Sequence, residues 1–178
     1  MKISQCRFII ICSALLLAAC AGRTEQTEME QIKRTVRERF PDVTQVSTAQ
    51  LSQWLSAPET ERPILLDARS PEEFEVSHLP NARPAADESQ ALEQLRDADQ
   101  NRRIVVYCSV GWRSSALAQK LKARGYANVS NLEGSIFQWA NEGRPVYRNG
   151  QQVSQVHPFD EKWGRLLKAE LRSPLPGK

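Results

Sequence analysis

From Val43 to Pro145 the chain alternates short, dense apolar runs with segments of helical periodicity, and that alternation leaves few folds open. "VTQVS" is a short strand candidate. "STAQLSQWL" begins with Ser47 and carries Gln50 three residues on, a capping-box pattern that opens a helix. "PILLDAR" predicts a buried strand ending at Asp67 and Arg69. "SPEEF" then offers Ser70 as N-cap, Pro71 at the first helical position and Glu73 as the reciprocal partner. "SQALEQLRDA" predicts a helix, "RRIVVYC" a buried strand, and "SSALAQKLKARG" a helix closed by Gly125. "ANVSNLEG" follows as a strand and "SIFQWANEG" as a helix ending at Gly143. Strands that alternate with helices in this way predict an α/β fold, a mainly parallel central sheet flanked by helices on both faces.

The two ends of the chain follow other rules. Lys2 and Arg7 precede "FIIICSALLLAA", Phe8 to Ala19, a run of signal-peptide length that is too short to span a bilayer comfortably. It closes on "LAAC", Leu17 to Cys20, which resembles the lipobox of bacterial lipoproteins. That resemblance implies removal of residues 1–19 and lipid on Cys20. Ala21 stands where an aspartate often retains lipoproteins in the inner membrane. The expected location is therefore the cell envelope, with the anchor in the outer membrane and the domain facing the periplasm. Residues 20–42 read as a stalk in which Met29, Ile32, Val36 and Phe40 form a narrow helical stripe, closed by Pro41. Residues 43–146 form the domain and 147–178 an extension. In that extension Asn149-Gly150 within "VYRNGQQV" signals a hairpin. "DEKWGRLLKAEL" places Trp163, Leu166, Leu167 and Leu171 on one face of an amphipathic helix.

Composition excludes several roles. At 178 residues and 40% hydrophobic content, one domain with extensions is affordable. Loss of Lys2 and Arg7 leaves 22 basic against 21 acidic residues, with no basic block, so nucleic acid is not an expected partner. Of the four cysteines, Cys6 and Cys12 leave with the signal and Cys20 is blocked by lipid, so Cys108 alone remains. One cysteine with His78 and His157, which lack ligand spacing, builds no zinc site. No metal or organic cofactor is expected. Cys108 is then either a buried small hydrophobe or a reactive centre.

Its neighbours point to the second. Cys108 ends a strand of a parallel sheet, where ligands gather, and a helix begins within a few residues. A tight loop entering a helix turns backbone N–H groups inward, and the helix dipole adds positive potential. Gly111 permits a backbone angle that a side chain would oppose, and Arg113 adds a charge able to hold an oxyanion bidentately. All of this favours the thiolate, the nucleophilic form.

The pieces "LLDARSPEEF", "SHLPNA", "VVYCSVGWRSSALAQKLKARGY" and "NLEGSIFQWANEGRPV", in this order, resemble the rhodanese family of single-domain sulfurtransferases. The resemblance implies the rhodanese α/β fold and Cys108 as the carrier of sulfane sulfur in a persulfide. It implies a cradle for that sulfur from Ser109, Val110, Gly111, Trp112, Arg113 and Ser114, and a loop-bracing role for Asp67 and Arg69. The expected reaction moves sulfur from thiosulfate or a persulfide to a thiol or cyanide, by a membrane-anchored monomer. Asn81 stands where the family usually has glycine, and Asn tolerates the left-handed region. Trp112 and Arg113 weigh against mercaptopyruvate as donor. Rhodanese-fold phosphatases carry one more residue between cysteine and arginine than the four found here, which weighs against phosphatase or arsenate reductase chemistry. A non-catalytic rhodanese-fold binding module is the other alternative, and the presence of Cys108 argues against it. His78 reads as a turn residue and His157, in "VHPFD", as a tie for the tail.

Overall fold

A computed structural model describes residues 28–175; the expected signal segment and lipidation site, residues 1–20, lie outside the described residues. Helix α1 covers residues 28–39. Five parallel strands follow, β1 (Thr44–Val46), β2 (Ile64–Asp67), β3 (Arg83–Pro84), β4 (Ile104–Tyr107) and β5 (Val129–Leu132), in the order β1-β5-β4-β2-β3. Between them run α2 (Thr48–Leu55), α3 (Pro71–Val76), α4 (Glu88–Gln94) and α5 (Trp112–Ala123), and α6 (Ser135–Asn141) follows β5. The α/β sandwich expected from the apolar runs is present. β3, two residues long with an unremarkable pattern, adds an edge strand that sequence periodicity does not mark.

Side chains of successive strand residues point to opposite faces, and this divides the core in two. Leu65, Val105 and Tyr107 enter one apolar cluster, and Leu66, Ile104 and Val106 enter the other. Cys108, one residue past β4, falls on the second side with Leu117, Ala118 and Leu121 of α5. Helix α1 straddles both, with Met29 in the first cluster and Val36 in the second, joined there by Phe40 just past its end. Lys33 and Arg37 of α1 both pair with Glu133, just past β5.

Local signals act where the sequence places them. Ser47 accepts from the Gln50 N–H at the start of α2. At α3, Ser70 and Glu73 form a complete capping box with Pro71 in the first turn. Asn81 adopts φ 57°, the left-handed turn that a family glycine would otherwise supply.

The chain beyond the sheet folds back on it. β6 (Val146–Arg148) and β7 (Gln151–Val153) form an antiparallel hairpin, and Asn149 and Gly150 both have positive φ, as a type I′ turn requires. Tyr147 of β6 exchanges backbone hydrogen bonds with His78, each 2.8 Å. The continuous amphipathic helix expected over "DEKWGRLLKAEL" is not formed. Its helix, α7 (Glu161–Gly164), stops after four residues, and Ala169–Leu171 form a separate 3-10 turn. Tertiary contacts take over where the helix stops. Gly164 lies against Pro158, and beyond it Leu166 and Leu167, neighbours in sequence, are both buried in the core. The Asn141 amide donates to Leu166 O (2.6 Å) and accepts from Lys168 N (2.9 Å), taking the place of helical partners.

Candidate active site

The carboxyl ends of β2, β4 and β5 converge on Cys108. Gly111 caps α5 with φ 110°, so its N–H turns back to lie 3.2 Å from Cys108 Sγ. A side chain there would meet strained backbone and the Asn131 amide at 3.2 Å, which is why the loop carries glycine. Ser114, in the first turn of α5, brings its hydroxyl to 3.4 Å from Sγ and 2.6 Å from Asn131 Oδ1. Its single proton can serve either acceptor, and a thiolate draws it to sulfur. Burial raises the Cys108 thiol pKa, but the Arg113 charge, the Ser114 hydroxyl and the Ser114 and Gly111 N–H groups outweigh this and hold it below its ordinary value. Cys108 is 1% exposed and free. Its side of the loop faces a cleft of about 420 Å³.

Of the cradle residues read from sequence, Gly111 and Ser114 reach the sulfur and Val110 is buried in the core. Trp112 stands 46% exposed with its ring edge-on to Phe40 just past α1, and it lines the cleft. Arg113 differs from the sequence expectation of an open anion fork. Its guanidinium donates to both Glu73 carboxylate oxygens (2.7 and 2.8 Å) and to Ser109 Oγ (2.9 Å), while Ser109 donates to Glu73 (2.9 Å). Glu73 thus serves twice, as the capping partner of α3 and as the carboxylate that positions Arg113. Nothing in its local sequence signals the second duty.

Ser135 is the other residue that sequence reasoning missed. It sits at φ 51°, and its hydroxyl accepts from the Cys108 N–H (3.1 Å) and donates to Leu132 O (3.0 Å). The Ile136 and Phe137 N–H groups then donate to Cys108 O and Ser109 O. The start of α6 therefore fixes where the loop begins. A glycine-serine pair opening a helix beside the cysteine strand was the available signal. Asp67 and Arg69 form a buried bidentate pair, and Arg69 also donates to Ser77 O (2.6 Å). They brace the turn after α3 and contact no part of the thiol. His157 accepts the Phe159 N–H through Nδ1 (3.0 Å), a turn within the tail itself.

Glu73 carries a pH prediction. Burial pushes its pKa up, but the Arg113 hydrogen bonds and charge, the Ser70 N–H and the Arg69 charge bring it down to about 2 from 4.5. The folded value lies below the unfolded one. Its contribution is therefore complete above about pH 4.5 and is lost as the pH falls towards 2. Because Arg113 is a third exposed, we expect about 2 kcal/mol rather than the full shift. Urea unfolding of Glu73→Gln should show that loss at pH 7 and a shallower fall in stability between pH 5 and 2 than wild type. Parallel curves for the two proteins would remove Glu73 from the acid response.

Among the described residues no cluster could hold a metal ion, and no helix is long and apolar enough to cross a membrane. A family model described as a rhodanese-like domain matches residues 47–142. A sulfurtransferase of Allochromatium vinosum is 32% identical over 104 residues, covering 58% of this chain and 94% of that protein. A tRNA uridine(34) hydroxylase of Erwinia tasmaniensis is 29% identical over 131 residues, covering 68% of this chain. The chain spans only 35% of that hydroxylase's length. The thiosulfate sulfurtransferase of Pseudomonas aeruginosa has the same fold, with a TM-score of 0.57 at 19% identity over 78% of this chain and 26% of that one.

Proposed function

The chain belongs to the rhodanese-like domain family, and from that premise we propose that it is a sulfurtransferase working through a persulfide on Cys108. The observation that supports this most is the thiol itself. It is buried at the start of α5, contacted by the Gly111 N–H and the Ser114 hydroxyl, with its pKa lowered. Cys108 thiolate attacks the outer sulfur of thiosulfate or of a persulfide. The donor's S–S bond breaks, and sulfite or a thiolate leaves with the electron pair. The new terminal sulfur carries the negative charge towards the loop's N–H groups. An acceptor thiolate or cyanide then attacks that sulfur and restores the Cys108 thiolate, a double displacement. Intact mass should rise by one sulfur atom after donor and return after acceptor. A protein that takes up no sulfur from either donor would support the binding-module reading instead.

The same proposal puts the domain on a lipid anchor at Cys20, with its location at the outer membrane facing the periplasm. It rests on "LAAC" after a short apolar run. Each buried methylene contributes about 0.8 kcal/mol, so several chains on one residue hold durably. Cys20→Ala should abolish incorporation of labelled fatty acid and leave the precursor unprocessed. Normal labelling of that variant would overturn the anchor.

A further inference from the structure

Three of the eight residues that line the cleft over Cys108 come from parts of the chain outside the matched domain. Ile32 comes from α1, and Phe159 and Trp163 come from the segment after the hairpin. With Trp112 they give the cleft an apolar and aromatic wall. Among the described residues, Trp112 and Phe159 are the exposed large hydrophobics, at 46% and 45%, and both stand at this cleft. Phe159 is also held at φ 66°, a region a bulky side chain rarely adopts. The His157 ring accepts its N–H and keeps it there. Strain of this kind persists only where surrounding structure enforces it, and it gathers at functional sites. Its result here is a phenyl ring poised 5.1 Å from the Arg113 guanidinium at the cleft wall.

The charge of the cleft points the same way. Arg113 is the cation lining it, and its forked face is already matched by Glu73. A small dianion such as thiosulfate finds an anion site with its main positive charge compensated, inside walls that are mostly apolar. A cleft of about 420 Å³ is in the range of sites for small organic ligands.

Resting on the sulfurtransferase reading, we infer that the preferred donor is a monoanion that carries its sulfane sulfur on an apolar organic group, directly or through a sulfonyl, with that group packed against Phe159 and Trp163. For a thiosulfonate, R–SO2–S⁻, Cys108 thiolate bonds to the outer sulfur and the bond between the two donor sulfurs breaks. The electron pair leaves on the sulfinate R–SO2⁻, and Cys108 becomes the persulfide anion. Two negative charges enter and two leave, with no external oxidant.

The test compares kcat/KM for benzenethiosulfonate, methanethiosulfonate and thiosulfate in the folded protein. The two thiosulfonates release the same kind of leaving group, so their ratio reads the apolar group. Wild type should favour the benzene donor roughly tenfold or more over the methane donor, since one or two buried carbon groups already discriminate by that much. Phe159→Gly keeps the left-handed backbone and removes only the ring, and it should cut that ratio several-fold. Trp163→Ala should do the same where it folds. A ratio near one in wild type, or one that Phe159→Gly leaves unchanged, overturns the inference while sulfur transfer stands. Failure of all three donors to load Cys108 overturns both.

Discussion

Cys108→Ser should leave the domain folded and remove its ability to accept sulfur from any sulfane donor. The serine is nearly isosteric, and the position already faces polar groups, the Gly111 N–H at 3.2 Å and the Ser114 hydroxyl at 3.4 Å. Stability should therefore change by no more than about 1 kcal/mol, the net worth of an ordinary hydrogen bond. Chemistry changes far more. An aliphatic hydroxyl is far less acidic than a thiol, so a loop that favours thiolate still leaves it protonated, and oxygen forms no persulfide. Turnover should fall to the solution background, and intact mass should show no sulfur gained. Cys108 is the sole cysteine among the described residues, so no thiol there can take over or resolve the persulfide. A Cys108→Ser protein that still carries sulfur from thiosulfate or a thiosulfonate to an acceptor would end the proposed mechanism.

That the cysteine could be singled out from sequence, while its electrostatic setting could not, follows from the range of the forces involved. The strand "IVVY", the glycine that bends the loop and the helix after it are local signals, and each lies within a few residues of Cys108. The Ser70–Glu73 capping box is equally local. The same Glu73 carboxylate reaches Arg113 across 40 residues of sequence, and only the packing of α3 beside α5 brings them together. Arg113 in sequence is an open cation, whereas in the fold it is one half of a pair. Ser135 belongs to the same class, since its bond to the Cys108 N–H depends on β4 and β5 lying side by side. The C-terminal segment failed differently. Its leucines fit a helical stripe, but the Asn141 amide, far away in sequence, takes the Leu166 O and Lys168 N groups that a continuing helix would use. The cleft walls were the least legible feature. Ile32 and Trp163 sit at opposite ends of the chain, and nothing in either local sequence says that they share a site with Cys108.

Asp67→Ala should be the most damaging single change to stability, because it strips the partner from a charge that has no access to water. The Asp67 and Arg69 side chains are both wholly buried. Arg69 donates from Nε and Nη2 to the two carboxylate oxygens at 2.9 and 2.6 Å, and its backbone N–H adds a third bond to Asp67 at 3.0 Å. Its charge is held firmly; burial pulls the Arg69 pKa down, but Asp67 more than reverses this. The pair then fastens two neighbours. Arg69 Nη2 donates to Ser77 O, and Tyr107, opposite Asp67 in the β2–β4 register, accepts the Leu79 N–H on its hydroxyl (3.0 Å). Removing one member of a buried pair typically costs 3–5 kcal/mol, roughly half of what holds a domain of this size folded. Replacing both members with apolar groups is often far less costly, because no charge remains to be solvated. Urea unfolding of Asp67→Ala, Arg69→Met and the double variant should therefore show strong coupling. The double variant should be more stable than Asp67→Ala alone, even though it has lost the Ser77 contact. Additive losses, or an Asp67→Ala cost below about 1 kcal/mol, would mean that the fold solvates Arg69 unaided and that the pair braces nothing. Where the domain survives, the turn after α3 is released, and with it the helix that aims Glu73 at Arg113. Sulfur loading should then slow in the Asp67→Ala protein although neither residue of the pair touches the thiol, and the loss should appear in the alkylation rate of Cys108 before it appears in unfolding.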